Sequence, residues 1–208
     1  MFDVLIIGGG VAGMSCAMIL GSAKEKNFVA CKKIGIIAHQ KTSALQDGIY
    51  NNAYGIPAGK LGADLLTESK IQLQNSFPDV VQIENEKVIK IEGICPNFII
   101  ATNKNSYQSQ LIVFAIGYSH TFNIDGMMGF VENHKKALPE KKRIQLKNVD
   151  HKVAEGIFVA GTLAGWRSQL SIAAGSGAAV ATDILTIWNN GIQTQIHDKI
   201  DPKKVLNR

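Results

Sequence analysis

Three glycines near the start of the chain have the spacing that brings backbone N–H groups around a pyrophosphate. They lie in the stretch MFDVLIIGGGVAGMSCAMIL as Gly8-x-Gly10-x-x-Gly13. Gly8 would permit a tight turn and Gly10 a close approach of phosphate to the backbone, while Gly13 would let a helix pack against the preceding strand. With Val11 and Ala12 between them, these glycines predict a dinucleotide-binding site.

The residues on either side predict the two elements that such a turn must join. VLII is typical of a buried strand and MSCAMILGSA of a helix. The stretch holds no charge from Val4 to Ala23, so its length alone would also permit a membrane span. Three consecutive glycines would weaken such a helix by about 1 kcal/mol each relative to alanine. A secretion signal is disfavoured because the early charge is Asp3 rather than a basic residue.

Composition sets limits on the class of protein. At 208 residues, 46% hydrophobic and 19% charged, the chain is typical of a soluble protein of one domain or two small ones. Its charge of +5 is distributed over several short runs, which indicates a solvated surface and no nucleic-acid partner. Cys16, Cys31 and Cys95 form no CxxC, which favours a reducing compartment. We therefore expect a cytoplasmic protein that does not enter a membrane.

Strands and helices alternate in the next part of the chain, as in a doubly wound α/β sheet. KKIGIIAH predicts a second parallel strand, followed by a loop rich in Gly, Asn and Tyr and by a helix over GADLLTESKIQLQNSF. No acidic residue ends this strand to bind a ribose. His39 or Gln40 could take that place, and a surface histidine is the alternative.

The middle of the chain predicts a change from parallel to antiparallel strands. VVQIENEKVIKIEG and NFIIATNKN are interpreted as an antiparallel pair, and LIVFAIG as a buried strand that ends at Gly117. The polar residues 118–155 predict a connection with at most a short hairpin or strand around RIQLKNV.

A second informative stretch is EGIFVAGTLAGWRSQLSIAAGSGAAVATDIL. It predicts a strand that ends in glycine and then a helix from Ser168 that is rich in Ala, Gly and Ser. Small residues allow close packing against a neighbour, but the first N–H groups of the helix could instead face a ligand. Just before it, Trp166 could stack on a ring and Arg167 could bind an anion; the alternatives are a packed aromatic and a solvated arginine.

Other kinds of catalytic site have no support in the sequence. No Ser-His-Asp order, metal-ligand spacing or carboxylate pair stands out. Four histidines lie isolated in polar surroundings and are predicted to be surface residues: His120, His134, His151 and His197.

The order of these motifs resembles the FAD-binding domain of the thioredoxin reductase-like, or pyridine nucleotide-disulfide oxidoreductase, family. The resemblance implies FAD as the cofactor, with its pyrophosphate at Gly8 to Gly13. By the same resemblance, Gly161 and Thr162 would lie near the ribityl chain, and the start of the last helix near the isoalloxazine. The other residues that it implies at the cofactor are Asn52, Ala115, Gly117, Trp166, Gln169, Leu170 and Ser171.

This resemblance leads us to expect an α/β, Rossmann-like FAD-binding three-layer fold. It would have a central parallel sheet and an additional antiparallel β segment. The expected organisation is one FAD-binding domain over residues 1–208, in which segments 1–117 and 157–190 are joined by a short connection, 118–156. That connection stands where the family has an NADPH domain with a second glycine motif and a redox CxxC, and both of these are missing here. Thr162 also replaces the family aspartate, and Ile116 replaces a threonine.

These departures define the expected function. We expect an FAD-dependent oxidoreductase without a redox-active dithiol, reduced by free NAD(P)H or by a separate protein or small-molecule donor. A homodimer is possible, since the family pairs through its FAD domains. The alternatives are a non-catalytic flavin- or nucleotide-binding module or redox sensor, and an NAD-dependent dehydrogenase. The last is disfavoured because the second strand lacks the ribose-binding acid.

Overall fold

The computed structural model describes residues 1–38, 45–117 and 122–197, which form twelve strands and three α-helices. The helices are α1 (Val11–Ser22), α2 (Gly62–Ser76) and α3 (Leu170–Trp188). The strands are β1 (Phe2–Ile7), β2 (Ile34–Ala38), β3 (Ile49–Tyr50), β4 (Lys60–Leu61), β5 (Val81–Glu84), β6 (Val88–Ile94), β7 (Asn97–Thr102), β8 (Ser106–Phe114), β9 (Val131–Asn133), β10 (Ile144–Leu146), β11 (Lys152–Ala154) and β12 (Ile157–Val159).

Five parallel strands form the centre of the main sheet, in the order β5-β2-β1-β8-β12. Strand β1 lies in the middle, with Val4 opposite both Ile34 of β2 and Leu111 of β8. The chain first moves from β1 to β2 on one side and later enters β8 on the other. The carboxyl ends of β1 and β8 therefore flank a topological switch point, where open α/β sheets bind their ligands.

Helices cover one face of this sheet and β structure covers the other. Val4 and Ile6 of β1 point into a core shared with α1 and α3, whereas Leu5 and Ile7 point into a core shared with the β6–β7 pair. The alternation follows from the two-residue period of a strand. The predicted three-layer α/β fold, with its antiparallel addition, is confirmed.

The predicted antiparallel pair is wrong for half of its first member. Residues Val81–Glu84 form β5, which runs parallel to β2 at the edge of the main sheet. Asn85 then takes a left-handed conformation with φ 58°, and only β6 runs antiparallel to β7. Both strands carry the same β-branched residues, so their local pattern could not distinguish a parallel edge strand from a hairpin strand.

The polar connection contains the predicted short hairpin, formed by β9 and β10, but it also contributes to the core. Phe122, Ile124, Met127 and Leu146 are buried against the β side of the sheet. In addition, β11 pairs antiparallel with β12. Residues 122–156 thus complete the third layer in addition to joining two segments.

The small residues of α3 are explained by its crossing over α1. A Cβ added to Gly177 would overlap the carbonyl oxygen of Ala12, and the hydroxyl of Ser15 donates a hydrogen bond of 2.8 Å to the carbonyl of Ala174. Among the described residues, α3 is the one helix long and apolar enough to cross a membrane, by length and composition only. Its inner face instead packs on α1 and the sheet, with Val180 and Ile184 fully buried.

Candidate functional site

The turn between β1 and α1 is held in its shape by two of the three glycines. Gly8 has φ 118° and donates a backbone hydrogen bond of 2.9 Å to Ile37, and a Cβ on it would lie 2.5 Å from the carbonyl oxygen of Ala115. A Cβ on Gly13 would overlap the carbonyl oxygen of Gly8. These two glycines are therefore required by the packing of the chain itself.

Gly10 differs from its neighbours because the fold does not require it. Its backbone is extended, with φ −78° and ψ −173°, and within the described part of the chain no atom beyond its sequence neighbours lies within 4 Å of the place that a Cβ would occupy. Any residue could adopt this conformation, so the open space beside Gly10 is the part of the turn available to a ligand. Gly10 is also the N-cap of α1, which has no capping side chain and no acidic residue in its first turn. The N–H groups there, including those of Val11 and Ala12, carry the partial positive charge that binds phosphate.

Two further strand ends meet this turn. Ala115 donates its backbone N–H to Ile7 at 2.8 Å, and Ala160 donates to Phe114 at 2.8 Å, so the ends of β1, β8 and β12 lie side by side. A Cβ on Gly161 would lie 3.0 Å from that of Ala12. The predicted residues of three distant segments are thus brought together at one edge of the sheet.

Thr162 and Gly117 line the same edge. A Cβ on Gly117 would be 3.9 Å from the Thr162 hydroxyl oxygen, and Gly117 itself has φ 80°. Ile116, with 38% of its surface exposed, packs a methyl group close to Gly8. The replacement of the family threonine by Ile116 therefore adds an apolar side chain beside the glycine turn, whereas Thr162 keeps a hydroxyl that can donate or accept.

The start of α3 is the fourth segment that the sequence predicts at the site. Gln169 is the N-cap residue and is exposed, Leu170 is half-buried and Ser171 is exposed. No side chain caps this end and its first turn has no acidic residue, so its N–H groups are available to a partner. The predicted start at Ser168 precedes the observed start by two residues, which is within the usual uncertainty of a helix end.

Trp166 is connected to the site by hydrogen bonds through His151. Its indole Nε1 donates a hydrogen bond of 3.0 Å to Nε2 of His151, and the same nitrogen lies 2.9 Å from the hydroxyl of Ser176. The Ser176 hydroxyl in turn accepts a bond of 2.8 Å from the backbone N–H of Gly161. Since an indole can only donate, Nε2 of His151 must be unprotonated, and the imidazole is neutral.

The environment of His151 favours this neutral form. Burial lowers the pKa of His151, and the nearby carboxylates of Asp183 and Asp150 only partly offset that effect.

The prediction that His151 and His134 are surface residues is wrong. His151 is half-buried, and His134 is only 8% exposed, with Nε2 3.2 Å from the carbonyl oxygen of Trp166. Of the other two, His197 is exposed as predicted and His120 lies outside the described residues.

Some predicted residues are not brought to this edge by any contact. Asn52 is exposed in the loop between β3 and β4, and Arg167 is exposed beside Trp166. His39 and Gln40 lie outside the described residues. The contact of His151 with Ser176 was not predicted, because it joins residues 25 positions apart in the chain.

The fold and the site together define a class. The chain has a parallel sheet with a glycine turn after its central strand. An uncapped helix begins at that turn, and two more strand ends lie beside it. This is the dinucleotide-binding fold of the Rossmann type. The chain belongs to the pyridine nucleotide-disulphide oxidoreductase family, whose sequence pattern matches residues 2–177.

Two curated proteins are similar to the chain. It is 28% identical over 144 residues to the uncharacterized oxidoreductase CzcO of Bacillus velezensis, covering 64% of this chain and 41% of that protein. It is 25% identical over 183 residues to a ferredoxin–NADP reductase of Leuconostoc citreum, covering 86% of this chain and 48% of that one. The chain thus spans less than half the length of these curated relatives.

A solved structure supports the same fold. The thioredoxin reductase of Gloeobacter violaceus superposes with a TM-score of 0.72 at 14% identity, over 95% of this chain and 99% of the other. At this identity the likeness concerns the fold alone. The resemblance to an FAD-binding thioredoxin reductase-like domain is confirmed.

Proposed function

We propose that the protein is an FAD-dependent oxidoreductase without a redox-active dithiol. The observation that carries the proposal is the open space at Gly10, next to the uncapped start of α1 and beside the ends of β8 and β12. A glycine that the fold does not need, placed where phosphate binds in this class of fold, is best explained by a dinucleotide pyrophosphate.

Three groups of residues would hold FAD at positions that the family resemblance indicates. Backbone N–H groups of Gly10, Val11 and Ala12 would hold the pyrophosphate, and the Thr162 hydroxyl would bond the ribityl chain. The start of α3, at Leu170 and Ser171, would face the isoalloxazine and stabilise negative charge there. Bound FAD supplies the hydride and electron chemistry, while the chain binds and orients it.

The proposal of no redox-active dithiol rests on the sequence, whose three cysteines form no CxxC. Cys16 is buried in α1, Cys31 is exposed and Cys95 is half-buried. Burial strongly raises the pKa of Cys16, which keeps it as an unreactive thiol. Electrons would therefore leave the site to a separate acceptor instead of passing through a cysteine pair.

The kind of electron donor is inferred from the connection between β8 and β12. It holds the β9–β10 hairpin in place of a second dinucleotide-binding unit, which by itself needs about 30 residues. The reductant is then either free NAD(P)H or a separate protein. The organisation as one FAD-binding domain, the cytoplasmic location and a homodimer are parts of the same proposal.

An anaerobic absorbance spectrum of the purified protein, taken before and after addition of NADPH and then NADH, tests this function. We expect flavin bands that bleach on reduction, with FAD identified after release from the protein. Bound FAD that neither nicotinamide reduces would direct the search to a protein donor. A protein that retains no flavin after incubation with FAD, yet unfolds cooperatively, would contradict the proposal.

The network around Trp166 predicts a pH-dependent change at the edge of the site. Because burial holds the pKa of His151 below its ordinary value of 6.5, Nε2 accepts the indole bond at neutral pH. As the pH falls through that lowered pKa, protonation of Nε2 removes the acceptor and releases Trp166. The hydrogen bond from Trp166 to His151 is thus present above the ordinary histidine pKa and lost below the lowered pKa of His151.

Tryptophan fluorescence measures this change. The chain has two tryptophans, so a Trp188→Phe background leaves Trp166 as the reporter. We expect a fluorescence titration with a midpoint below 6.5, lost in His151→Phe and kept in His197→Phe, the exposed-histidine control. An unchanged titration in His151→Phe would show that another group controls Trp166.

A further inference from the structure

The positive charge of the protein is concentrated in the segment that replaces a second nucleotide-binding unit. Residues 131–147, the basic hairpin, contain six lysines and arginines against two glutamates, a formal charge of +4 compared with +5 for the whole chain. The basic residues are Lys135, Lys136, Lys141, Lys142, Arg143 and Lys147. These charges lie in short runs along one stretch of the sequence, which folds as the β9–β10 hairpin.

Most of this charge is not neutralised within the protein. Lys135 pairs with Glu132 at 2.8 Å, but Lys141, Lys142 and Lys147 are exposed and form no ion pair within the described part of the chain. Lysines elsewhere are paired more often, as in Lys70 with Glu84 at 3.0 Å and Lys32 with Asp3 at 3.0 Å. Exposed lysines without an ion pair project a field that attracts the opposite charge.

The basic hairpin is fixed against the turn that leads into α3. Lys136 places its ammonium group 4.1 Å from the ring centroid of Trp166, and His134 bonds the carbonyl of the same residue. Just after the hairpin, Asn148 donates a bond of 3.2 Å to the carbonyl of Ala164. The positive surface is thus held at the rim of the proposed flavin site.

We propose that the basic hairpin is the docking surface for an acidic one-electron carrier protein that reduces the flavin. The inference rests on the proposed function, because the carrier needs a flavin to reduce. Two reduced carriers each give up one electron, and two protons come from solvent, so one FAD becomes FADH2. The charges are distributed over a whole hairpin, as complementary protein surfaces require, and they would accelerate encounter as well as orient the partner.

A nucleic acid is the less suitable occupant. Recognition of single strands uses aromatic side chains on which bases stack, and one face of Trp166, which adjoins the hairpin, is already covered by Lys136. The charge also lies beside the proposed flavin site, which an electron-donor protein would have to reach and a nucleic acid would not.

Charge reversal of two hairpin lysines tests the surface. Lys141→Glu/Lys147→Glu changes two exposed residues that have no role in the proposed flavin site. The matched control, Lys26→Glu/Lys104→Glu, makes the same change of charge at two other exposed lysines. Lys26 lies between α1 and β2, and Lys104 lies just before β8. Both are therefore at the amino ends of main-sheet strands, whereas the flavin site is proposed at the carboxyl ends.

Binding is measured first, on the flavin-free protein, with an oxidised acidic [2Fe–2S] ferredoxin as the probe. We expect the hairpin variant to bind about tenfold or more weakly than wild type at about 20 mM salt, the control variant less than about twofold, and the difference to shrink at about 300 mM salt. Equal effects of the two variants, or no ferredoxin binding by wild type, would overturn the proposal. So would tighter binding of wild type to a DNA duplex of about 20 base pairs.

Anaerobic stopped-flow reduction separates docking from cofactor binding. In the FAD-loaded protein, the second-order rate of reduction by the reduced ferredoxin should fall about tenfold in the hairpin variant, while dithionite reduces all variants alike. A hairpin variant that is reduced as fast as wild type refutes the docking surface alone. A wild type that holds no FAD refutes the proposed function, and the binding measurement then stands by itself.

Discussion

Replacing Gly10 with valine should abolish retention of FAD while leaving the protein folded. The backbone at Gly10 is extended, and among the described residues no atom beyond its sequence neighbours lies within 4 Å of the new Cβ, so packing is not disturbed. The cost to the fold is limited to about 1 kcal/mol for an apolar N-cap residue. The added methyl groups would instead occupy the space proposed for the pyrophosphate and keep it from the N–H groups of α1. We expect affinity for FAD to fall about 100-fold or more, equivalent to about 3 kcal/mol.

The measurement is a titration of flavin-free protein with FAD, followed by the change in flavin fluorescence. Gly10→Ala, which adds a single methyl group, should give an intermediate loss, and urea unfolding should show both flavin-free variants within about 1 kcal/mol of wild type, the cost of an apolar N-cap residue. Full FAD occupancy in purified Gly10→Val would show that the pyrophosphate lies elsewhere. A larger loss of stability in the same variant would show that the space at Gly10 serves the fold.

Replacing Gly177 with alanine should have the opposite result, a large loss of stability in the flavin-free protein. Its Cβ would overlap the carbonyl oxygen of Ala12, where α3 crosses α1, and neither backbone can move without disturbing the sheet edge. Overpacking of this kind costs about 1–3 kcal/mol, and we expect the upper part of that range because the clash is with backbone.

Gly175 provides a control on the same helix. No atom lies within 4 Å of a Cβ at this exposed position, so Gly175→Ala should raise stability by about 0.5–1 kcal/mol through helix propensity alone. Urea unfolding of the two flavin-free variants compares them directly. If Gly177→Ala is as stable as Gly175→Ala, the two helices are not in close contact at this crossing.

The contrast between these glycines illustrates what a motif leaves undecided. The spacing Gly8-x-Gly10-x-x-Gly13 predicted the turn, but the glycines look alike in the sequence. Only the neighbours decide that Gly8 and Gly13 are required by packing and that Gly10 is not, which leaves the space beside Gly10 for the proposed ligand. Ala115, the neighbour of Gly8, is placed by strand pairing across about one hundred residues, whereas the neighbour of Gly13 is the carbonyl of Gly8 in the same turn.

Histidines show the same limit. His151 was assigned to the surface because its sequence neighbours are polar, yet the turn before β11 carries it to Trp166 and to Ser176 of α3. The basic runs were likewise interpreted as a dispersed charge, whereas the β9–β10 hairpin brings them together. His151 and its partners are far apart in the chain, so no local pattern could reveal their contact. The basic runs are close together in the chain, and the turn between β9 and β10 keeps them on one hairpin.

The sequence by itself determined the local elements of this protein: the strand, turn and helix of residues 2–22, the strand β2, the helix α2 and the small-residue helix α3. Those follow from apolar periodicity and from the backbone freedom of glycine, which act between near neighbours. The tertiary structure decided the order of the strands, the parallel pairing of β5, the contribution of residues 122–156 to the core and the meeting of three strand ends beside α1. These depend on long-range pairing and burial, because a strand's partner is selected by the packing of both sheet faces and not by its own residues.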